Sequence, residues 1–246
     1  MSIRSKAFEL LRTAAAVAGF DIRYTRVRDA ANIPDGYLYR PLFEPWRSQA
    51  WKKRLRMEDD ASLVTADRKY VLHTLLEQAA RAVDGDVAEC GVYRGGTAYL
   101  FAELLMRIAP QKRLYLFDTF EGMPETDARY DRHLKGDFSD TSLEAVRRYL
   151  RNFGNVEFRP GFIPQSFTGL EDRKFCFVHI DLDIYEAVTD ASQYAYERLT
   201  PGGILVYDDY GFASCPGARR AVDEFFEGRL EVPLVLPTGQ CIVFRI

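Results

Sequence analysis

The sequence contains few cysteines, and none lies at the spacing of a metal finger or a redox motif. Only four occur in 246 residues, at positions 90, 176, 215 and 241, and no two of them form a CxxC pair. Three lie in apolar, strand-like runs, which is typical of small buried side chains. Cys215 lies in a Gly/Pro loop, where it could be exposed, and nothing around it marks a nucleophile. This usage predicts a reduced, cytoplasmic protein without disulfides.

A strong excess of charge of one sign is also missing. The chain carries 33 Lys and Arg against 36 Asp and Glu, for a formal net charge of -3. Proteins that bind the nucleic-acid backbone usually show a basic footprint. We therefore expect no nucleic-acid partner.

Long hydrophobic runs are absent as well, since no stretch approaches the roughly 20 apolar residues of a membrane span. The N-terminal stretch "MSIRSKAFELLRTAAAVAGF" superficially resembles a signal peptide. Glu9 and Arg12 interrupt its apolar part, which argues against that interpretation. We expect neither a membrane anchor nor a secretion signal.

The rhythm of the sequence divides the chain into two parts. Ser2 to about Gly19 is predicted to be helical, and the stretch up to about Arg47 is irregular and rich in proline and aromatic residues. We predict that residues 1–62 form a helical arm or lid, which is a possible subunit contact in a homo-oligomer (a dimer or higher). Residues 63–246 are predicted to form an α/β domain.

Within this domain, strands and helices alternate. An amphipathic helix over Arg68–Val83 precedes the pattern, and a capping box of Thr141 and Glu144 is predicted to begin a later helix. Alternation of this kind predicts a mostly parallel sheet that is covered on both faces, with a closing antiparallel hairpin. The predicted strands are "DVAECGV", "RLYLFDTF", "NVEFRPG", "FCFVHI", "GGILVYDDY", "VPLVLP" and "QCIVFRI".

A glycine-rich loop connects the first predicted strand to a helix in "VAECGVYRGGTAYLF". Gly91, Gly95 and Gly96 allow a tight turn and a close approach to a ligand. The loop is neither the GxGxxG dinucleotide pattern nor a phosphate loop. A pyrophosphate ligand is therefore disfavoured.

Two acidic residues suggest which ligand the loop binds instead. Asp118 ends the second predicted strand, the usual position of a carboxylate that binds ribose hydroxyls. Glu89, near the end of the first strand, is placed to meet a cationic group. A glycine loop and a ribose carboxylate without phosphate-binding residues favour S-adenosylmethionine. The alternative is that the glycines only permit close packing of strand and helix.

Four aspartates follow two further strands. Asp181 and Asp183 come after "FCFVHI", and Asp208 and Asp209 follow "ILVY". If the strands are neighbours, their ends lie about 5 Å apart, and such clusters suit a hard cation, Mg²⁺ first, with Ca²⁺ or Mn²⁺ as alternatives. Helix caps explain one or two of these aspartates at most. His179, inside the strand, is interpreted as a core histidine.

The combination of "VAECGVYRGGTA", "LFDTFEGMPETD", "HIDLDIYEA" and "PGGILVYDDYG…PGARRAVDEFF" resembles the macrocin O-methyltransferase family. The resemblance runs from about Leu63 to the C-terminus. It implies a Rossmann-like class I methyltransferase fold with a seven-stranded sheet. It also implies a metal-dependent, S-adenosylmethionine-dependent transferase that methylates sugar hydroxyls of macrolides and related natural products in antibiotic biosynthesis.

By position, the resemblance assigns roles to individual residues. Asp181, Asp208 and Asp209 correspond to metal ligands, and Asp183 corresponds to the general base. The segments "GDFSDTS" and "RPGFIPQSF" correspond to the adenine side of the cofactor site. The full set of implied cofactor-binding residues is Leu63, Glu89, Gly91, Tyr93, Arg94, Gly95, Gly96, Thr97, Asp118, Phe120, Ser139, Gly161, Phe162 and Asp181.

The resulting hypothesis is an Mg²⁺-dependent O-methyltransferase in which Asp183 deprotonates a sugar hydroxyl that the cation polarises. Its acceptor is expected to be a small glycoside or other glycoconjugate. One alternative is a catechol-type O-methyltransferase acting on a phenolic diol. Another is a nucleoside-binding module that has lost catalysis.

Overall fold

The computed structural model describes residues 44–57 and 61–246 of the chain. The helix predicted over residues 2–19 and the Pro-rich stretch up to residue 43 lie outside the described residues. Residues Glu44–Ile246 form one compact unit. The described part of the predicted arm, residues 44–57 and 61–62, therefore packs with the α/β domain.

Seven strands and six α-helices make up the described unit. The strands are β1 (Asp86–Cys90), β2 (Leu114–Asp118), β3 (Val156–Pro160), β4 (Phe175–Ile180), β5 (Leu199–Tyr207), β6 (Leu234–Val235) and β7 (Cys241–Phe244). The helices are α1 (Gln49–Arg54), α2 (Ala66–Ala82), α3 (Gly96–Ile108), α4 (Leu143–Tyr149), α5 (Tyr185–Arg198) and α6 (Pro216–Phe226). In the part of the chain that the structure covers, no helix is both long and apolar enough to cross a membrane.

The strands form a single sheet in the order β3-β2-β1-β4-β5-β7-β6. The first five strands are parallel to one another. β7 runs antiparallel to β5 and pairs with β6 as a hairpin. This confirms the predicted mostly parallel, seven-stranded sheet with its antiparallel closure.

Side chains of a strand alternate between the two faces of the sheet. Both faces therefore carry apolar side chains, and helices cover each of them. In β1, Val87 belongs to one core and Ala88 to the other. The first core contains residues of α2, α3 and α4, and the second contains residues of α5 and α6. Representative members are Leu72, Leu76, Phe101 and Val146 in the first and Val188, Ala195, Val222 and Phe226 in the second.

The predicted capping box at the start of α4 is wrong. The N-cap is Ser142, whose hydroxyl accepts a hydrogen bond of 3.2 Å from the Ala145 amide. Thr141 instead donates to the carbonyl oxygen of Tyr93 at 2.5 Å, and Glu144 pairs with Arg148. Thr141 is therefore used to hold the glycine loop, an interaction that sequence spacing does not reveal.

His73 of α2 is a buried imidazole that lowers the stability of the fold in acid. Its ring packs edge-on against Trp51, with centroids 5.3 Å apart, and Nδ1 has no hydrogen-bond partner among the described residues. Burial, together with Arg54 and Arg107, lowers the pKa of His73 to about 4, although Glu77 opposes the shift. The folded protein therefore holds this imidazole neutral.

We predict a measurable pH dependence from this group. Between the ordinary pKa of 6.5 and about 4, His73 binds a proton in the unfolded chain but not in the folded one. Its contribution to the free energy of unfolding is thus fully present above this window and falls as pH drops through it. Urea titrations across the window should show a shallower pH dependence for His73→Phe than for the wild type. Equal slopes would mean that the folded protein binds the proton.

Candidate active site

A concave site lies at the carboxyl edge of the parallel strands. The strand order reverses between β1 and β4, and open α/β sheets bind ligands at such a switch point. A cavity of about 300 Å³ opens there, within the range of small-molecule sites. Its wall includes Glu89, Gly91, Asp118, Asp181 and Asp183.

A row of buried polar side chains crosses the sheet beneath this cavity. Glu89 of β1 is the register partner of His179 in β4, and Oε1 of Glu89 lies 3.2 Å from Nδ1 of His179. Nε2 of His179 lies 3.5 Å from Oδ1 of Asp208, which follows β5. The guanidinium of Arg68 on α2 ends the row in an ion pair with Asp208. Acidic and basic groups thus alternate along this buried polar row.

The pKa shifts along the row follow from burial and from these neighbours. Burial raises the pKa of Glu89. Burial lowers the pKa of His179, but hydrogen bonds to Asp208 and Glu89 outweigh it and raise the pKa to about 10. Because the pKa values of both Glu89 and His179 are raised, the hydrogen between Oε1 of Glu89 and Nδ1 of His179 is retained at neutral pH. Burial also raises the pKa of Asp208, yet His179, Arg68 and Gln240 reverse the shift and lower it.

Glu89 lines the cavity and has a buried carboxylate oxygen that makes no hydrogen bond to the described residues. The residue is 1% exposed, and its Oε2 atom has no hydrogen-bond partner among the residues of the described ranges. An unsatisfied buried carboxylate oxygen costs free energy unless a ligand supplies a donor. Glu89 therefore fits the sequence-based prediction that it meets a cationic donor group of the cofactor.

Asp118 fixes the shape of the glycine loop. Its Oδ2 atom accepts from the amides of Val92 at 2.6 Å and Tyr93 at 2.9 Å, and Oδ1 accepts from the Phe120 amide at 2.7 Å. A carboxylate offers about four acceptor positions. One position on Oδ1 is left for a ribose hydroxyl, so the predicted ligand role is compatible with the structural one.

Only some of the loop glycines face the cavity. Gly91 lines it, has φ +90, and a Cβ atom there would lie 1.8 Å from the Asp181 carbonyl oxygen. Gly95 has φ +87 and packs against Val146, while the Gly96 amide donates to the Ala61 carbonyl oxygen at 3.0 Å. Close packing, the alternative weighed from the sequence, accounts for Gly95 and Gly96.

Of the predicted cofactor residues, nine line the cavity and five do not. Arg94 pairs with Asp140, Phe120 is buried beside Phe158, and Ser139 is exposed. Together with Gly95 and Gly96, these residues lie behind or beside the wall. The nine that line it are Leu63, Glu89, Gly91, Tyr93, Thr97, Asp118, Gly161, Phe162 and Asp181.

The four aspartates lie at neighbouring strand ends, as the sequence predicted, because β4 and β5 are adjacent. One oxygen each of Asp181 and Asp208 and a ring nitrogen of His179 lie within 4.8 Å of one another. Asp209 lines the cavity and accepts the Asp183 amide at 3.0 Å through Oδ2. Asp208 is fully buried and does not line the cavity.

The electrostatics of this edge fit a cation. Burial and the neighbouring carboxylates raise the pKa of both Asp181 and Asp209 well above the usual range. Arg68 and His179 offset the charge of Asp208 and lower its pKa. The pKa values of Asp181 and Asp209 remain raised. A hard divalent cation at an oxygen-rich site would offset that repulsion. Asp208 retains one acceptor position on Oδ2, since Arg68, His179 and Gln240 use the other three.

Asp183, the predicted general base, is held in a strained backbone conformation with φ +60. Aspartate tolerates this left-handed region better than most residues. Burial raises the pKa of its carboxyl group. Oδ1 accepts a hydrogen bond from Sγ of Cys215 at 3.2 Å and lies 3.6 Å from Nε2 of His133.

The sequence missed three residues of this site. Cys215 is 2% exposed and points at Asp183, whereas its loop suggested exposure. His133 lies in an irregular segment that carries no periodic signal. Arg68 had a signal, because it precedes Leu72 and Leu76 at helical spacing and thus falls on the buried face of α2. A buried arginine on an apolar helix face indicates an acidic partner.

The sheet order and the cavity at the switch point define the class I methyltransferase fold, and solved structures agree. The O-methyltransferase NovP superposes with a TM-score of 0.64 at 24% identity, over 75% of this chain and 83% of that one. A calicheamicin methyltransferase superposes with a TM-score of 0.61 at 17% identity, over 80% of this chain and 93% of the other.

Sequence comparison assigns the family within that class. Residues 49–245 match the family model described as Macrocin-O-methyltransferase (TylF). The chain therefore belongs to the macrocin O-methyltransferase family, as its motifs indicated.

Two curated relatives are similar to part of the chain. The 8-demethyl-8-(2,3-dimethoxy-alpha-L-rhamnosyl)-tetracenomycin-C 4'-O-methyltransferase of Streptomyces olivaceus is 33% identical over 64% of this chain and 62% of its own length. The mycinamicin III 3''-O-methyltransferase of Micromonospora griseorubida is 32% identical over 63% of this chain and 65% of its own length. The matched stretch thus spans less than two thirds of each relative.

Proposed function

We propose that this protein transfers the methyl group of S-adenosylmethionine to a sugar hydroxyl of a glycosylated small molecule. One observation carries the proposal. A single cavity is lined by Glu89, which has a buried oxygen without a partner among the described residues, and by the aspartates Asp118, Asp181 and Asp183. A methyl donor and a hydroxyl acceptor can therefore meet in one cavity, where proximity accelerates transfer.

The donor half is formed by β1, β2 and the loop between β1 and α3. Glu89 Oε2 would accept from the ammonium group of S-adenosylmethionine. The remaining acceptor position of Asp118 would take a ribose hydroxyl. Phe162 and Gly161, which line the cavity beyond β3, would contact the adenine.

In the acceptor half, Asp183 is proposed as the general base. Its carboxylate lines the cavity, and a raised pKa makes it a stronger base than an exposed aspartate. A sugar hydroxyl is a very weak acid, so a strengthened base is more important here than for a phenol. Asp183 would take the hydroxyl proton as the oxygen attacks the methyl carbon. The methyl–sulfur bond would break as the methyl–oxygen bond forms, and S-adenosylhomocysteine would leave.

We further propose that Asp181, Asp208 and Asp209 hold a hard divalent cation, Mg²⁺ by preference. When bound, such a cation would act as a Lewis acid toward acceptor oxygens. The raised pKa values of Asp181 and Asp209 support this assignment, because His179 and Arg68 offset the charge of Asp181 only in part and burial and the neighbouring carboxylates dominate at both residues.

The choice of a sugar acceptor is supported by the relatives' names. The Streptomyces protein is named for 4'-O-methylation of a rhamnosyl tetracenomycin. The Micromonospora protein is named for 3''-O-methylation of mycinamicin III. Both names specify an O-methylation, and the first names a rhamnosyl group on its substrate.

The proposal is tested by incubating the protein with S-adenosylmethionine and a panel of rhamnosyl polyketides and macrolide glycosides. Mass spectrometry should find one added methyl group on a glycoside and none on its aglycone. A catechol serves as the phenolic comparison. Preferred methylation of the catechol or of an aglycone phenol would contradict the sugar assignment.

Chelation provides a separate prediction about the cation. Treatment with EDTA, followed by its removal, should abolish methyl transfer, and added Mg²⁺ should restore it, because the acidic edge then regains its counter-charge. Affinity for S-adenosylmethionine, measured by calorimetry, should be unchanged, since Glu89 and Asp118 lie on the donor side. Full turnover after exhaustive chelation would rule out the cation.

A further inference from the structure

Three side chains of different chemistry, those of His133, Asp183 and Cys215, meet on the acceptor side of the cavity. His133 comes from the segment between β2 and α4, Asp183 follows β4, and Cys215 precedes α6. Sγ of Cys215 lies 3.2 Å from Oδ1 of Asp183 and 3.7 Å from Nε2 of His133. The third separation, between Nε2 and Oδ1, is 3.6 Å. We call these three residues the Cys-His-Asp cluster.

These separations, 3.2, 3.6 and 3.7 Å, are close to those of ligands around a tetrahedral zinc ion. Zinc binds sulfur at about 2.3 Å and nitrogen or oxygen at about 2.0–2.2 Å. At tetrahedral angles, those bond lengths place neighbouring ligand atoms about 3.3–3.6 Å apart. We propose that the Cys-His-Asp cluster is a second metal site that binds a borderline-soft cation such as Zn²⁺. It is separate from the site proposed for Mg²⁺ at Asp181, Asp208 and Asp209.

The orientation of His133 supports this site. Its Nδ1 atom lies 3.0 Å from Oδ2 of Asp137, which is ionised because backbone and imidazole hydrogen bonds lower its pKa. A carboxylate only accepts, so Nδ1 carries the hydrogen, and in the neutral imidazole Nε2 presents its lone pair to the cluster. A carboxylate behind a histidine in this way is typical of zinc ligands.

The cluster also has room for a further ligand. All three of its residues line the cavity, so a fourth coordination position would face that space, as in zinc sites that keep one position open. Burial, with Asp209 and Asp183, raises the pKa of the Cys215 thiol. On binding, the sulfur–metal bond replaces the S–H bond, and the proton is released to solvent.

Ligand chemistry separates this site from the proposed Mg²⁺ site. Asp181, Asp208 and Asp209 offer carboxylate oxygens, which suit hard cations, whereas a thiolate and an imidazole select zinc over magnesium. A metal on Oδ1 of Asp183 would occupy the proposed general base. Low concentrations of Zn²⁺ would then inhibit methyl transfer even in excess Mg²⁺, a consequence that rests on the proposed function.

Cobalt is the probe that tests the site, since Co²⁺ replaces Zn²⁺ and reports its ligands by absorption. The full chain, stripped with EDTA and supplied with excess Mg²⁺, is titrated with Co²⁺. We expect one equivalent to produce a thiolate-to-cobalt charge-transfer band and the intense visible bands of tetrahedral cobalt. Zn²⁺ should then abolish both.

Variants identify the ligands. Cys215→Ser should lose the charge-transfer band, and Asp137→Asn should weaken cobalt affinity about 10–100-fold by releasing His133. Cys176→Ala is the matched control and should keep the full signal, because Cys176 lies near the amino end of β4, at the opposite edge of the sheet. Circular dichroism verifies that each variant is folded.

The site is refuted if folded wild-type protein gives no charge-transfer band, or if Cys215→Ser retains it. Competition of Mg²⁺ for the cobalt signal would also refute it, by placing the ion at the acidic edge. The charge-transfer band and its competition by Mg²⁺ are both measured without turnover. A protein that binds cobalt but methylates nothing would contradict only the proposed function, and an active protein without the band would contradict only this site.

Discussion

Asp183→Asn should lower the rate of methyl transfer about 10²–10⁴-fold, the usual contribution of a general base. The amide has the size of the carboxylate but cannot take the acceptor proton. Asparagine also tolerates the left-handed conformation that φ +60 imposes at this position. The substitution therefore removes the base with little change in the backbone, which alanine would not achieve.

Binding and rate must be measured separately for this variant. Affinity for S-adenosylmethionine, measured by calorimetry, should be unchanged, because Glu89 and Asp118 bind on the other side of the cavity. Asp172→Asn, an exposed aspartate before β4, is the matched control and should keep full turnover. Near-normal turnover of Asp183→Asn on a glycoside would exclude Asp183 as the base.

Arg68→Met should lower the free energy of unfolding by about 3–5 kcal/mol, the cost of breaking a buried ion pair from one side. Methionine retains the apolar stem but removes the charge that faces Asp208, which is 0% exposed. The Leu63 carbonyl oxygen also loses its 3.0 Å hydrogen bond from the guanidinium. Urea denaturation in the presence of EDTA measures the change without a divalent cation to offset Asp208.

The same helix supplies a control for Arg68. Arg81 pairs with Glu77 at 2.9 Å, and the two side chains are 57% and 35% exposed. An exposed pair of this kind contributes no more than about 1 kcal/mol, so Arg81→Met should lose far less stability than Arg68→Met. Equal losses in the two variants would mean that burial of the Asp208 pair does not decide its energy.

Local patterns predicted the sheet and the position of the site. Alternating strands and helices required parallel pairing with helices on both faces, since parallel strands need crossover connections. A carboxylate that follows a parallel strand must lie at the carboxyl edge of the sheet. Asp181 and Asp208 are therefore close together if their two strands are neighbours. These inferences depend only on short-range periodicity and strand direction.

Contacts between distant segments were not predictable in the same way. Thr141 looked like a helix cap but holds the Tyr93 carbonyl, and Cys215 looked exposed but is buried against Asp183. In both cases the partner lies in another segment of the chain. Spacing within one segment contains no information about such a partner.

The sequence by itself determined the fold class, the family and the location of the cavity, because each follows from repeated local patterns and from motifs that are specific in combination. Tertiary structure alone decided how the charges at the sheet edge are shared. In the folded protein, Asp208 contacts Arg68 and His179, and Asp118 binds the amides of the glycine loop. His133 and Cys215 lie beside Asp183. The reason is physical: the protonation and ligand preference of a buried carboxylate depend on which donors reach it in space.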